Sequence, residues 1–311
     1  MTEPPRREVL LWLVSVALLA ALPYALGPYW QQLGFRALQL LTLAMAWNLL
    51  AGYCGQVSLG TGAFVGLGAY AMALCGNWLG GALLVPMLAA ALVAGAFAAL
   101  VSVGLFRLRG LYFTIGTLAL AEALRILMVN LSVFGGASGI VLAGVAPTFY
   151  WLYWLALVVA AGTALLTRLV QGSPYALAMR AVRDDEDVAR AMGVRTQRVK
   201  LATFVLAAVL MGLAGGLQAL KLGAIEPYGA FGMRWTIDTV AVVIIGGLGS
   251  RWGPYLGTLV YVALGEALRN VPELHSAIAG VFLLLVIRLA PQGLWGVLRQ
   301  RLARTAERSG A

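Results

Sequence analysis

Charge is the first thing this sequence is short of. Only 11% of its 311 residues are Asp, Glu, Lys or Arg, against about a quarter in ordinary soluble domains. Histidine occurs once, as His275 beside Pro272 and Glu273 in an apparent loop, and no HExxH or GxSxG pattern accompanies it. The usual zinc-hydrolase and nucleophile-elbow chemistries are therefore excluded. No GxxxxGK[ST] loop occurs either, so ATP-driven work of that kind would need another polypeptide. Cysteine is limited to Cys54 and Cys75, set in apolar runs without CxxC spacing. Both read as small core residues rather than metal ligands or a disulfide.

What is present is apolar length. The chain is 61% hydrophobic with a mean hydropathy of +0.89, which places it in a lipid bilayer. Its net charge of +10 comes from arginines in short clusters between apolar runs, without interleaved aromatics. Positive-inside topology accounts for that excess, and nucleic acid does not. Since a helix needs about 20 residues to cross the hydrocarbon, candidate spans fall at 9–26, 36–52, 57–76, 82–106, 111–130, 149–170, 200–222, 236–249, 254–270 and 276–290. The eighth is short and the third is rich in glycine. The expected fold is all-α, a polytopic transmembrane helical bundle of about ten spans.

The first apolar run follows "MTEPPRRE", and "YAL" before Gly27 is a poor signal-peptidase site, so the run reads as a retained anchor with Arg6 and Arg7 in the cytoplasm. Counting on from there puts Arg107, Arg109, the basic residues of 168–200, Arg251 and the basic tail 291–311 on the same side. With Arg288 also on that side, only Arg36, Arg125, Lys221, Arg234 and Arg269 are left within spans or on the far side. Both termini are thus expected in the cytoplasm, and removing one span would throw the basic tail outside.

Ionisable groups inside spans must be paired or wet. Glu122 and Arg125 sit three apart, as do Glu266 and Arg269, a spacing that puts each pair on one helix face. Local ion pairing and a polar solute path both fit that pattern, and Asp238 can lie at the interface. "NLLAGYCGQVSLGTGAFVGLGAYAMAL", residues 48–74, combines six glycines with Asn48, Gln56, Ser58 and Thr61. Close helix packing is one reading. A broken helix near the midplane, able to hydrogen-bond a solute, is the other. A second glycine cluster, "IIGGLGSRWGPYLG", covers residues 244–257. The candidate pathway residues are Asn48, Gln56, Ser58 and Thr61, followed by Glu122 and Asp238.

The longest polar run, within residues 171–199, punctuates itself into two short helices. Ser173 is placed to cap one that opens with Pro174, and Asp184 or Asp185 to cap another that stops at Gly193. The second would show Val188, Ala191 and Met192 on its apolar face. A topogenic loop needs only basic residues, so a capped pair points to docking on a cytoplasmic partner. The candidate coupling residues are Arg183, Asp184, Asp187, Ala189, Met192 and Gly193.

"AVRDDEDVARAMGV" is similar to the cytoplasmic loop of ATP-binding-cassette importer permeases, with Asp187, Val188 and Ala189 at the EAA triplet and Gly193 at the glycine. "WNLLAGYCGQVSLGTGAFVGLGAYAMA", "FRLRGLYFTIGTLALAEALRILMVN", "GGASGI", "IIGGLGSRWGPYLG" and "RLAPQGLWGVL" resemble, in this order, the LivM-type permeases of branched-chain amino-acid importers. The resemblance implies a single permease domain over 1–311 in the bacterial inner membrane, without enzymatic activity or a cofactor of its own. Its implied partners are a LivH-type permease, two cytoplasmic ABC ATPases that bind the ATP, and a periplasmic solute-binding protein. Near relatives carry urea, short amides or aromatic acids. Thr61 stands where the family often has histidine, and Asp187 where the triplet has glutamate. Two rivals are an ATPase-independent secondary transporter, which would need a coupling-ion site at mid-depth, and a membrane enzyme, which would need clustered His, Asp or Glu.

Overall fold

The computed structural model describes residues 27–79, 83–144, 147–269 and 292–300, with the single positions 280 and 288. Helix α1 (Pro28–Trp47) opens on proline at its first position, where the missing N–H costs nothing. It continues into a π-helical turn, Asn48–Tyr53. An irregular stretch leads to α2 (Thr61–Leu79), followed by α3 (Leu84–Leu105), α4 (Leu111–Asn130) and α5 (Phe149–Gly172). Two short helices, α6 (Pro174–Asp184) and α7 (Glu186–Ala191), precede the long α8 (Thr196–Leu222). A stub, α9 (Pro227–Ala230), leads into α10 (Arg234–Gly246) and α11 (Gly253–Ala267), and a last helix occupies 293–300.

The centre of the bundle is the packing of α2, α3 and α8, and glycine sets its closeness. A Cβ on Gly68 of α2 would lie 2.1 Å from the Gly212 carbonyl oxygen of α8, and one on Gly215 would lie 2.0 Å from that of Val65. Without those Cβ atoms the backbones touch, which replaces the water expulsion that drives association in soluble proteins. Alanines 90, 94, 98, 207 and 208 fill the same seam, and Phe64, Phe113 and Phe204 close it with edge-on ring contacts. On the other side Gly34 of α1 admits the ring of buried Tyr153 from α5.

Among the described residues, seven helical segments are long and apolar enough to cross a membrane: 28–53, 61–79, 84–105, 111–130, 149–172, 196–222 and 227–246. They correspond to the second through eighth expected spans, with shifted ends. The ninth is α11, at 15 residues. Expected spans 9–26 and 276–290, Arg6, Arg7, His275 and most of the basic tail lie outside the described residues. The all-α expectation needs one amendment, since Ile140–Val141 pairs antiparallel with Ala224–Ile225. Residues 140–141 and 224–225 thereby satisfy one another's backbone groups.

The connections sort into two ends. At one, Arg183 packs on Gly55, Arg109 pairs with Asp187, and Gly249 meets Gly52. The ring of Trp252 contacts that of Trp295 there. At the other, Asn77 binds the backbone of Val141 and Ala143, and Leu142 donates to the Gly223 carbonyl. The expected alternation of crossings is therefore visible as geometry, with Arg107, Arg109, Arg183, Arg190, Arg198 and Arg251 gathered at the first, basic end.

Candidate functional site

The third expected span does not begin as a helix. After the π-turn the chain runs without regular structure through Gly55–Gly60 alongside the first turns of α4 before α2 starts at Thr61. Backbone in that state needs partners that a helix would have supplied internally. Side chains supply them. Trp47 Nε1 donates to the Ser58 carbonyl at 2.8 Å and Thr114 Oγ1 to the Val57 carbonyl at 2.8 Å. Thr236 Oγ1 donates to the Leu59 carbonyl at 3.0 Å, and Thr117 Oγ1 accepts from the Leu59 N–H at 3.0 Å. Ser58 Oγ accepts from the Gly60 N–H. Two groups in the stretch are left over: the Gln56 amide, whose residue is 6% exposed, and Thr61 Oγ1 have no hydrogen-bond partner among the described residues.

Gln56 borders a cavity of about 660 Å³ that opens between this irregular stretch, the α3–α4 turn and α6–α7. Its wall mixes Val57, Leu111 and Phe113 with Arg109, Asp184 and Lys200. Lys200 Nζ reaches Glu186 at 3.1 Å, with little solvent on either side chain. Burial pushes the thiol of Cys54, also on the wall, up to about 11. It stays protonated and serves as an apolar filler.

The polar segment is folded as two capped helices. Asp185 accepts from the N–H groups of Asp187 and Val188 at 2.9 and 3.0 Å and is the cap of α7. Ser173 stands at the N-cap of α6, yet its hydroxyl donates back to Val170 and makes no cap bond, so Pro174 alone opens that helix. Gly193, at φ +88°, ends α7 with Val194 N–H reaching Ala189 O and its own N–H reaching Arg190 O. That is the two-bond stop for which glycine is preferred. Ala189 is buried against Val199 and Met179, whereas Leu177, Val188 and Met192, the last 81% exposed, project outward.

Residues 32–287 match the family described as "Branched-chain amino acid transport system / permease component". The chain belongs to that family. It is 28% identical to the high-affinity branched-chain amino acid transport system permease protein LivM of Escherichia coli K12, over 94% of this chain and 76% of the relative. It is 33% identical to LivH of the same organism over 42% of each. The autoinducer 2 import system permease protein LsrC of Enterobacter sp. strain 638 is 30% identical over 96% of this chain and 89% of the relative. No solved structure matches. A family of transport permeases with this many membrane helices identifies the chain as a multi-pass membrane protein of a transport-permease family.

In this permease the expected pathway residues separate. Gln56 and Thr61 keep free polar atoms inside the break, and Ser58 lies with them but turns its hydroxyl to Gly60. Asn48 is fully engaged, its Nδ2 donating to Ser250 O at 3.0 Å and its Oδ1 accepting from Gly249 N–H at 2.8 Å. It joins the two glycine clusters, since a Cβ on Gly52 would lie 2.6 Å from Gly249 N. Glu122 pairs with Arg125, which also covers the Tyr228 ring. Asp238 accepts from Tyr261 at 2.6 Å. Of the coupling residues, Arg183 donates through Nη1 to the Gly52 carbonyl at 2.9 Å and through Nε to Asp184, while Asp187 meets Arg109 at 3.2 Å. Sequence reasoning missed Arg109, Thr114, Thr117, Thr236 and the Glu186–Lys200 pair as parts of this site. A threonine in an apolar span usually bonds its own preceding turn, so its type carried no signal.

Proposed function

We propose that this chain is the membrane permease subunit of an ABC importer for branched-chain amino acids, coupling ATP hydrolysis by partner subunits to inward passage of the solute. The observation that carries the reading is the capped α6–α7 unit, whose outer side offers Leu177, Val188 and Met192 while Arg183 on its inner side holds the Gly52 carbonyl of the broken span. Motion of a bound ATPase would pass through that contact into the break where Gln56 and Thr61 lie, exchanging access between the two faces of the membrane.

In this reading the chain is one domain of about ten spans. It lies in a bacterial inner membrane with both termini cytoplasmic and carries no cofactor, since ATP is held by two ABC ATPases. A LivH-type permease and a periplasmic solute-binding protein complete the system. The deciding experiment reconstitutes all components in proteoliposomes and follows labelled leucine, isoleucine and valine. ATP-dependent uptake that needs the binding protein supports the reading. Uptake surviving without the ATPases would replace it with a secondary transporter, and ATP-dependent uptake of urea, short amides or aromatic acids instead of leucine would reassign the solute.

A further inference from the structure

The cavity at the basic end, between the broken span and α6–α7, has three kinds of wall. One part is apolar, where Val57, Leu108 and Leu111 are exposed. Water against those side chains is unfavourable, and an apolar ligand that covers them is favoured. A second part is charged and fixed. Lys200 Nζ is held by Glu186 at 3.1 Å with the two side chains 8% and 19% exposed, and it lies against the Phe106 ring. Opening that pair would strand a buried charge.

The third part is charged and exchangeable. Arg109 and Asp187 meet at 3.2 Å with side chains 63% and 67% exposed, and Arg183 and Asp184 at 3.0 Å with 40% and 68%. Exposed pairs of this kind are weak, so their members are open to incoming groups of opposite charge. Arg109 offers donors to a carboxylate, and Asp184 and Asp187 offer acceptors to an ammonium group. Arg109, Arg183 and Lys200 face the four acidic residues of 184–187 across the cavity, a balance of 3 − 4 = −1. That balance disfavours a phosphate or a nucleotide. A ligand with one charge of each sign and an apolar body matches every part of the wall. The volume of about 660 Å³ falls in the range of about 300–1,000 Å³ usual for small-molecule sites.

Position adds a consequence. The cavity separates the two elements that Arg183 joins by donating to the Gly52 carbonyl, so a ligand seated there holds their spacing and opposes their relative motion.

We propose that this cavity is a cytoplasmic-side site for a zwitterionic amino acid with an apolar side chain, the released solute itself, and that its occupancy slows further import. The proposal rests on the importer reading above and adds a feedback site to it.

The test has two readouts. In the first, the complete permease–ATPase complex in nanodiscs, without binding protein or ATP, is irradiated with photo-leucine, whose diazirine is on the side chain, and adducts are mapped by mass spectrometry. The expected adducts fall at Val57, Leu108 or Leu111. Excess leucine suppresses them, whereas isovalerate and isoamylamine, each lacking one of the two charges, do not at the same concentration. The double variant Arg109→Gln with Asp187→Asn, at two exposed positions, lowers them several-fold. In the second, proteoliposomes of the full importer preloaded with leucine show initial ATP-driven uptake of labelled leucine several-fold slower than empty ones. Adducts confined to other residues, equal competition by either single-charge analogue, unchanged labelling of the double variant, or equal uptake in preloaded and empty vesicles would each overturn the proposal. Absence of ATP-driven leucine uptake into empty vesicles would instead overturn the importer reading, so the two failures are told apart.

Discussion

Gln56 holds both ends of a side-chain amide where neither solvent nor another described group meets them. Leaving such a group unsatisfied costs about 1–3 kcal/mol, so Gln56→Leu should leave thermal unfolding in detergent unchanged or raise it, while uptake falls several-fold. Equal uptake with raised stability would remove Gln56 from the path. Thr61→Val makes the matched test, as its hydroxyl is also unpartnered. Cys54 gives a pH prediction. Its thiol is pushed up to about 11 by burial, above the ordinary value near 8.5. The stability gained by burying the neutral thiol is therefore complete below the ordinary value and is lost as pH rises from there through about 11. Maleimide labelling of Cys54 in the folded protein should be slow at neutral pH and rise only towards that limit, whereas labelling at neutral rates comparable to a free thiol would contradict its burial. At this scale the sequence separates polar from apolar but not used from unused. Asn48 and Gln56 look alike in the sequence, and only the arrival of Gly249 and Ser250, two hundred positions later, occupies one of them.

Among the elements, α7 is the most local in its logic. Asp185 caps it and Gly193 stops it through contacts within a few residues, which is why both ends were legible as punctuation. Asp185→Ala should cost about 1 kcal/mol, read as a lower unfolding midpoint. Gly193 has nothing within 4 Å of a would-be Cβ, but its φ is +88°. Gly193→Ala should therefore be penalised by about 1 kcal/mol of backbone strain rather than by a clash. The contact between α6 and the broken span is of another kind. Arg183 reaches Gly52 across 131 residues, and no pattern in the chain announces the partner. Arg183→Met keeps much of the stem that packs on Gly55 and removes the bond to Gly52. Assembly should persist while ATP hydrolysis no longer drives uptake, measured as the ratio of solute moved to ATP consumed; an unchanged ratio would deny the contact a part in transmission.

The whole molecule has a basic end and an opposite end, and the crossings alternate between them. If the basic end is cytoplasmic, Met192→Cys should react with a membrane-impermeant maleimide only in inverted vesicles and Val141→Cys only in right-side-out ones. The reverse pattern would invert the topology. That arrangement was determined by sequence alone, because the hydrophobic length needed to cross a bilayer and the sidedness of arginine are properties of short segments. Helix ends with their own caps were fixed in the same way. The tertiary structure decided what segments do to one another: that the third span opens as non-helical backbone held by threonines from α4 and α10, and that two glycine clusters meet at Gly52 and Gly249. In an apolar solvent every polar group must find a partner, and a chain this poor in polar groups does not encode locally which distant residue that partner will be.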